Sequence, residues 1–445
     1  MALSASGRNI LAESSDVSIK ASTRRLMGYA SKQRWLTLAN RYRTNTVQAL
    51  DADHAAGTIS ARNLTDYVAA SAPLHCCDGW ALLGRALACH LRGDADVTRH
   101  LAYYAELRAA MSLLATQGVG VFNKRHFVID QAGGVQKVAS GGTHAVAWDL
   151  LEAWAGLPSA ANMLGEVLIP GGQPVGQWVA ELPQGATWQP IATQWLKEIG
   201  LDLELFGTQD HDARNEASYR PNHLGQRPVL ASTDAARATR ELWMLLEPSP
   251  PLSFGELDRY LLRRTLESAF FSVTGRSHKR AHADFRTQVD AAAAACVGAG
   301  QTQIWSRFLR RIDDPQDPEI LTLAQCTPRL DRPDYHVSMM ARALLLLRVA
   351  SGATRRMLID AGVGLESLGF WWKPYGEGLG LWDHPAPNVA QLTDGWADTK
   401  AALDDIDISL AAGALSSYRG IVSELPRPFA NLTSLEMVGV WSLAA

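Results

Sequence analysis

Apolar residues recur along most of this chain at the spacing of an α-helix. In one segment, Leu101, Tyr104, Leu107, Met111 and Leu114 fall on a single helical face. A stripe of this kind predicts an amphipathic helix that buries its apolar side against other helices. The same period predicts helices at residues 23–50, 61–71, 80–91, 100–117, 143–154, 193–206, 233–246, 254–273, 282–297, 304–312, 337–352 and 394–409.

Strand signals are few and short. Two extended segments, Val119–Phe122 and Phe127–Asp130, precede a turn at Gly133-Gly134. Asp78 and Asp94 are predicted to cap the helices that follow them, because a carboxylate accepts hydrogen bonds from free first-turn amides. The excess of helix signals over strand signals predicts a mostly α protein of helical bundle domains with a few short strands or irregular loops.

Two breaks in the pattern predict the domain organisation. Residues 1–20 are polar and predict a flexible tail. The proline-rich segment Glu247–Pro251 predicts a boundary between helical domains at residues 21–246 and 254–445.

Composition places the chain among ordinary globular proteins. Of its 445 residues, 47% are hydrophobic and 20% are charged, which is enough apolar material for a large core. The net charge of -3 and the five cysteines suggest neither a polyanion-binding surface nor a disulfide framework. The apolar stretch Ala341–Ala350 is shorter than the roughly 20 residues of a spanning helix. We therefore expect a cytoplasmic protein with no membrane association.

Several common enzyme signatures are missing from the sequence. It contains no Walker loop, GxGxxG, HExxH or GxSxG motif. The thiols and imidazoles at His75-Cys76-Cys77 and Cys89-His90 lack the spacing of a zinc finger or ribbon. We expect no cofactor and no metal at the site.

One segment, residues 211–223, is dense in groups that bind or transfer protons. Arg214 offers a forked donor for a phosphate or carboxylate, and His211 and His223 can exchange protons near neutral pH. Tyr219 can stack or donate a hydrogen bond. The alternative is structural, with Arg214 paired to an acid at the edge of the core such as Glu241.

A second basic segment runs from Arg276 to His282. With five residues between them, arginine and histidine can flank one phosphodiester. The imidazole would move the proton of the 2′-hydroxyl or of the leaving oxygen, and the guanidinium would stabilise charge on phosphorus. The alternative is a solvated basic loop at the start of a helix.

Two segments carry a family resemblance. The helix Leu101–Leu114, with paired aromatics, an alanine-rich centre and a Leu-Leu end before Gly118, resembles HEPN-type helical domains and the related YaaC-like proteins. Arg214–Tyr219 resembles the family's Arg-Asn-x-x-x-His signature, with Tyr219 where histidine is expected. The family's loop histidine would be His126 or His144. The resemblance covers roughly residues 60–250.

This resemblance implies a function. Active HEPN members are metal-independent ribonucleases, usually with a composite site at a homodimer interface, and many belong to bacterial toxin and antiphage systems. The leading hypothesis is therefore a bacterial antiphage-defence protein that binds or cleaves RNA, with Arg214, Tyr219, His223, Arg276 and His282 as site residues.

Two alternatives come from other functional classes. One is a non-catalytic scaffold or adaptor with protein partners in a defence complex, anchored by tryptophan and leucine side chains. The other is a DNA-processing enzyme in which Asp210, Asp212 and Glu216 hold a metal.

Overall fold

The mostly α prediction is confirmed. The computed structural model describes residues 3–182, 186–220, 229–248, 254–311, 316–326, 332–388, 391–392 and 394–443. The helices of the first half are α1 Ala5–Ala12, α2 Asp16–Leu26, α3 Thr46–Ala56, α4 Ala61–His90, α5 Ala95–Thr116, α6 Thr143–Ala155, α7 Pro158–Leu164, α8 Val175–Ala180, α9 Trp188–Glu198, α10 Leu203–Leu205, α11 His211–Tyr219 and α12 Ser232–Leu245.

The second half is helical as well. Its helices are α13 Gly255–Thr274, α14 His282–Cys296, α15 Ala299–Leu309, α16 Glu319–Ala324, α17 Tyr335–Asp360, α18 Gly369–Leu379, α19 Asp394–Ala411, α20 Tyr418–Glu424, α21 Pro426–Thr433 and α22 Glu436–Trp441. Short 3₁₀ segments lie at Met27–Lys32, Pro170–Gly172 and Leu365–Leu368, and a π-helical turn lies at Phe206–Asp210. The strands are β1 Val119–Val121, β2 Arg125–Ile129 and β3 Val135–Ser140.

Helices α4, α5 and α17 pack against one another at the centre of the protein. Their starts show why the chain folds into helices here. The Asp94 carboxylate caps α5 as predicted, accepting from the Val97 amide at 3.1 Å, and the Ser60 hydroxyl accepts from the Asn63 amide at the start of α4. Because these three helices are long and apolar, their mutual burial supplies much of the hydrophobic stabilisation.

Helix α4 corrects one prediction. The sequence predicts separate helices at 61–71 and 80–91 with Asp78 as a cap, but α4 is continuous and Asp78 lies inside it. Pro73 removes a backbone hydrogen bond in the middle of the helix. Since Ala72 before Pro73 and Cys76 and Cys77 after it are buried, packing holds the two halves in one helix. His75 is therefore placed on a helical face and not in a loop.

The helix predicted for residues 23–50 is also wrong in its middle. Helix α2 ends at Leu26, and Gln33 adopts a left-handed conformation with φ of 52°. The buried Tyr42 hydroxyl then donates to Asp53 Oδ2 at 3.0 Å and accepts from the Ser60 amide at 3.0 Å. These tertiary hydrogen bonds fix the irregular segment before α3, and a periodicity argument does not detect them.

Most of the described part of residues 1–20, for which the sequence predicts a flexible tail, is helical. Ser4 caps α1, its hydroxyl accepting from the Gly7 amide at 3.1 Å, and the Ser15 amide donates to the Ile129 carbonyl at 3.1 Å. Leu11 and Ile19 are buried in the core. The polar residues of this segment cover the outer faces of two short helices, so polarity alone was a misleading signal.

The three strands form one antiparallel sheet in the order β1-β2-β3. Val119 pairs with Val128, and Asp130 closes the second turn by accepting from the amides of Ala132 and Gly134, each at 2.8 Å. The third strand was not predicted, because its exposed residues break the apolar alternation. The sheet ends at Ser140, which places the start of α6 beside α5.

The two predicted helical domains share one core. Trp80 stacks on Phe254 at 5.7 Å between ring centroids, and its indole donates to the Ser351 hydroxyl at 3.0 Å. Helix α17, from the second predicted domain, packs along α5 and α4 of the first. Of the predicted boundary Glu247–Pro251, residues 249–251 lie outside the described residues.

Helix α17 is long and apolar enough to cross a membrane by length and composition alone, but its apolar window is wholly buried inside the protein. It carries two buried arginines, each held by a carboxylate with two hydrogen bonds. Arg342 donates to Asp210 at 2.8 and 2.6 Å, and Arg348 donates to Asp258 at 2.7 Å through two nitrogens. Asp210 also accepts from the Tyr335 hydroxyl at 2.6 Å.

Replacing Arg342 tests the importance of the first pair. Arg342→Ala leaves the Asp210 carboxylate buried without its cation, and we expect a loss of about 3–5 kcal/mol in the free energy of unfolding. Urea unfolding followed by circular dichroism measures the loss. In the matched control, Arg240→Ala breaks an exposed pair with Asp407, and the expected loss is under about 1 kcal/mol. Equal losses in the two variants would contradict a special role for the buried pair.

Candidate functional site

Arginine, histidine and tyrosine side chains meet where α5, the start of α6 and α11 come together. We call this group the Arg214 cluster, and its members are His100, Tyr103, Tyr104, His144, His211 and Arg214. It combines the chemistry predicted for residues 211–223 with side chains that are distant in the sequence.

The position of α11 follows from the buried ion pair. Asp210 ends the π-helical turn directly before α11, and its carboxylate is bound by Arg342 of the central helix. Arg214 lies four residues after Asp210, about one helical turn further along. Because α11 packs against α5, the side chain of Arg214 is held against the aromatic face of α5.

The guanidinium of Arg214 contacts only neutral groups among the described residues. It donates to His144 Nε2 at 3.1 Å and to Asn215 Oδ1 at 2.8 Å. Its carbon lies 5.3 Å from the ring centroid of Tyr103 and 5.5 Å from that of Tyr104, both suitable for cation–π attraction.

The absence of a carboxylate near Arg214 is the main electrostatic feature of the cluster. Arg214 is only 7% exposed, and no described carboxylate forms an ion pair with it. The structural alternative paired it with Glu241, but Glu241 instead accepts from the Ile320 amide at 2.9 Å. A cation that is mostly buried without a counter-charge is unusual, because desolvation is then only partly offset. An anion that approached the cluster would supply the missing charge.

His144 is neutral at physiological pH. Burial, followed by the neighbouring Arg214 and His211, lowers the pKa of His144 to about 4. Neutral imidazole has one lone pair, and the hydrogen bond from Arg214 assigns that lone pair to Nε2. The other ring nitrogen, Nδ1, then carries the proton and is buried without a partner among the described residues.

Two further histidines complete the cluster at its rim. The His211 ring lies 5.8 Å from Tyr103 and 6.1 Å from His144 between centroids. His100 lies against Tyr104, with its Nδ1 at 2.8 Å from the Ser218 hydroxyl. Burial lowers the pKa of His100, and the charge of Arg214 lowers it further. Three imidazoles therefore surround one guanidinium.

The structure separates the predicted site residues. Arg214 lies in the cluster, whereas Tyr219 at the end of α11 is 81% exposed. His223 lies outside the described residues. Arg276 donates to Asp284 at 2.7 Å across a half-exposed ion pair, and His282 is exposed at the start of α14. No contact in the described part of the chain joins Arg276 or His282 to the Arg214 cluster.

Of the two loop histidines suggested by the family resemblance, His144 contacts Arg214. His126 is buried in the hairpin, where its Nδ1 accepts from the Phe122 amide at 3.2 Å and its Nε2 lies 3.1 Å from the Gly141 carbonyl. Sequence reasoning did not assign His100 or Tyr103 to the site. The sequence feature that could have pointed to this face of α5 is the spacing of His100 and Tyr104, which lie four residues apart and therefore share one helical face.

The acids proposed as metal ligands do not converge. Asp210 is buried and already bound by Arg342 and Tyr335. Asp212 is largely exposed, and Glu216 pairs with Arg220 at 2.5 Å. Within the described ranges, no group of three histidine, cysteine, aspartate or glutamate side chains is arranged to hold a metal ion.

Comparisons with known proteins returned no relative: no family model, no curated protein and no solved structure matches this chain. The HEPN resemblance therefore stays a prediction, and the functional proposal depends on the geometry of the Arg214 cluster.

The protonation of His144 can be measured directly. We expect its histidine Cε1–H NMR signal, assigned by its loss in His144→Gln, to titrate near pH 4 and not near the ordinary value of 6.5. In Arg214→Met the pKa of His144 should rise, because a positive charge that opposes protonation is removed. Arg220→Met, which changes an exposed arginine on the same segment, should leave it unchanged. A wild-type pKa near 6.5 would contradict the neutral assignment.

Proposed function

We propose that this protein binds RNA at the Arg214 cluster and cleaves it without a metal ion. The observation that carries the proposal is the nearly buried Arg214 guanidinium, which has no carboxylate partner among the described residues and is hydrogen-bonded to the neutral imidazole of His144. A phosphodiester supplies the anion that this arrangement lacks. Arginine and neutral histidine are also the two groups that metal-independent RNA cleavage needs.

The chemistry follows from the contacts. When a phosphate accepts hydrogen bonds from Arg214, Nε2 of His144 is released from the guanidinium and can take the proton of the 2′-hydroxyl. The 2′-oxygen then bonds to phosphorus, and the bond from phosphorus to the 5′-oxygen breaks. His211 supplies the proton for that leaving oxygen. The products are a 2′,3′-cyclic phosphate and a 5′-hydroxyl, with charge on phosphorus stabilised by Arg214.

The resemblance to HEPN-type proteins supports the same reaction and suggests its setting. On that basis we propose a role in bacterial antiphage defence, in the cytoplasm, with a homodimer as the active form. The aromatic pair Tyr103 and Tyr104 belongs to the helix that carries the resemblance and also lies against Arg214. The resemblance and the side-chain geometry therefore favour the same cluster.

The scaffold alternative is weakened by where the tryptophans lie. It relied on tryptophan and leucine side chains as interface anchors, yet seven of the tryptophans are among the largest fully buried side chains of the core. They are Trp80, Trp154, Trp178, Trp195, Trp243, Trp372 and Trp441. Anchors for a partner have to be exposed before binding, so these residues serve packing.

Cleavage can be tested with purified protein and a fluorescently labelled single-stranded RNA in excess EDTA. We expect fragments with cyclic phosphate ends, identified by mass spectrometry. Arg214→Ala and His144→Ala should each lower the cleavage rate about 10²–10⁴-fold, because each removes a group that acts on the transition state. Arg85→Ala, which changes an exposed arginine on α4, should retain the wild-type rate.

Binding and folding are measured alongside cleavage. Circular dichroism and the melting temperature establish that each variant is folded, and fluorescence anisotropy measures its RNA affinity. RNA binding without cleavage in the wild type would contradict the enzymatic half of the proposal. Loss of activity in His282→Ala but not in Arg214→Ala would place the site at the second basic segment.

The biological setting has its own test. Expressed in a bacterial host, the wild-type chain should lower the plating efficiency of at least one phage in a diverse panel. Arg214→Ala and His144→Ala should abolish this protection if it depends on RNA cleavage, and Arg85→Ala should preserve it. Protection that survives both cluster substitutions would contradict a defence role for the cluster.

A further inference from the structure

An open pocket of about 550 Å³ lies beside the Arg214 cluster. This volume falls in the range of roughly 300–1,000 Å³ that small-molecule sites occupy. Its wall includes residues of α3, α4, α5, α6 and the β1 segment. Neither the residues predicted from sequence as site residues nor the groups proposed to act on RNA are among its described lining residues.

One cation lies in the wall of the pocket. Arg108 Nη1 donates to His75 Nδ1 at 2.8 Å. Burial, and then the charge of Arg108, lowers the pKa of His75 to about 3, so His75 is neutral and can orient the guanidinium without cancelling its charge. Nη1 also forms an ion pair with the exposed Asp78, whose Oδ2 lies 3.8 Å away. Nη2 and Nε have no hydrogen-bond partner in the described part of the chain.

Two helices begin at the same pocket. The first turn of α3, from Thr46 to Gln48, and Thr143 at the start of α6 are among the lining residues. Neither helix has a side-chain cap, and the first three amides of α3 and the first two of α6 have no acceptor among the described residues. Free amides and the helix dipole both favour an anion at such a place.

The remaining wall is uncharged. No aspartate or glutamate is among the described lining residues. One side is apolar and aromatic, with Tyr67 and Phe122 at 5.8 Å between ring centroids. The amide side chains of Asn45, Gln48 and Asn123 add donors and acceptors suited to the edge of a base. Together with Arg108, these groups match a ligand that has both a phosphate and a planar ring.

The pocket and the Arg214 cluster share two elements. On α5, Arg108 of the pocket follows Tyr104 of the cluster by four residues, about one helical turn. On α6, Thr143 lines the pocket and the adjacent His144 contacts Arg214. A nucleotide held in the pocket would therefore lie next to the groups proposed to act on RNA.

We propose that this pocket binds a nucleotide, with its phosphate at Arg108 and the starts of α3 and α6 and its base against Tyr67. The placement next to the Arg214 cluster rests on the proposed function, whereas nucleotide binding itself does not. The nucleotide is either a free mononucleotide or one unit of an RNA strand, since both present the same phosphate and ring.

Isothermal titration calorimetry on the full chain tests the pocket with adenosine 5′-monophosphate, adenosine and inorganic phosphate. We expect saturable binding of the mononucleotide and affinity lower by about tenfold or more for adenosine, which lacks the phosphate. Arg108→Gln should weaken mononucleotide binding by about tenfold or more. Tyr67→Leu should weaken it by about tenfold while leaving phosphate binding unchanged, because only the ring contact is lost.

Arg85→Gln is the matched control, since it removes an exposed arginine of α4 outside the pocket, and it should bind like the wild type. Circular dichroism establishes that each variant is folded. The proposal is overturned if the mononucleotide does not bind at millimolar concentration, or if folded Arg108→Gln binds it as tightly as the wild type.

A short oligoribonucleotide distinguishes the two sources. Tighter, Arg108-dependent binding of the oligoribonucleotide supports a unit of RNA, and mononucleotide binding that the oligoribonucleotide does not displace supports a free nucleotide. Either result supports the pocket as a nucleotide site.

If the mononucleotide binds through Arg108 but the wild type never binds or cuts RNA, the proposed function fails and the nucleotide site stands. If RNA cleavage is unchanged in Arg108→Gln and the mononucleotide does not bind, the proposed function stands and the nucleotide site fails.

Discussion

The buried pair between Asp210 and Arg342 determines where the candidate site forms. Arg342 belongs to the central helix α17, and Asp210 ends the π-helical turn that leads into α11. Both side chains are fully buried, so the pair forms only when α11 and α17 are in register. Breaking one partner would leave the other as an uncompensated charge in the core, which makes this register strongly preferred. Arg214 is placed against α5 as a consequence.

The charge of Asp210 affects the pKa of a neighbouring carboxyl group, Glu106. Glu106 on α5 is buried, and neither of its carboxylate oxygens has a partner among the described residues. Burial, and then the charge of Asp210, raises the pKa of Glu106 well above its ordinary value. Asp210 is therefore the carboxylate that pairs with Arg342 in this part of the core. Arg214, in contrast, has its charge balanced by no described carboxylate and donates to His144 and Asn215.

The Arg214 cluster and the neighbouring pocket share one electrostatic character. In each, a guanidinium donates to a neutral histidine, with Arg214 bonded to His144 and Arg108 bonded to His75. A neutral imidazole holds an arginine in place while leaving its positive charge for a ligand. The first arrangement joins α11 to α6 and the second joins α5 to α4, and we propose that both guanidinium groups bind phosphate.

The sequence by itself determined the helical class, most of the helices and the first two strands. The reason is that the regular spacing of apolar residues and capping residues such as Asp94 direct the backbone over only a few neighbouring positions. It also singled out Arg214, and it offered His144 as one of two loop histidines. It could not show that α4 continues through Pro73 or that residues 33–45 leave the helix, since these depend on packing and on hydrogen bonds of Tyr42. Only the tertiary structure decided that Arg214 meets His144 while Arg276 pairs with Asp284. The physical reason is that the contact between Arg214 and His144 joins segments 70 residues apart, and the burial energy of the whole core selects it.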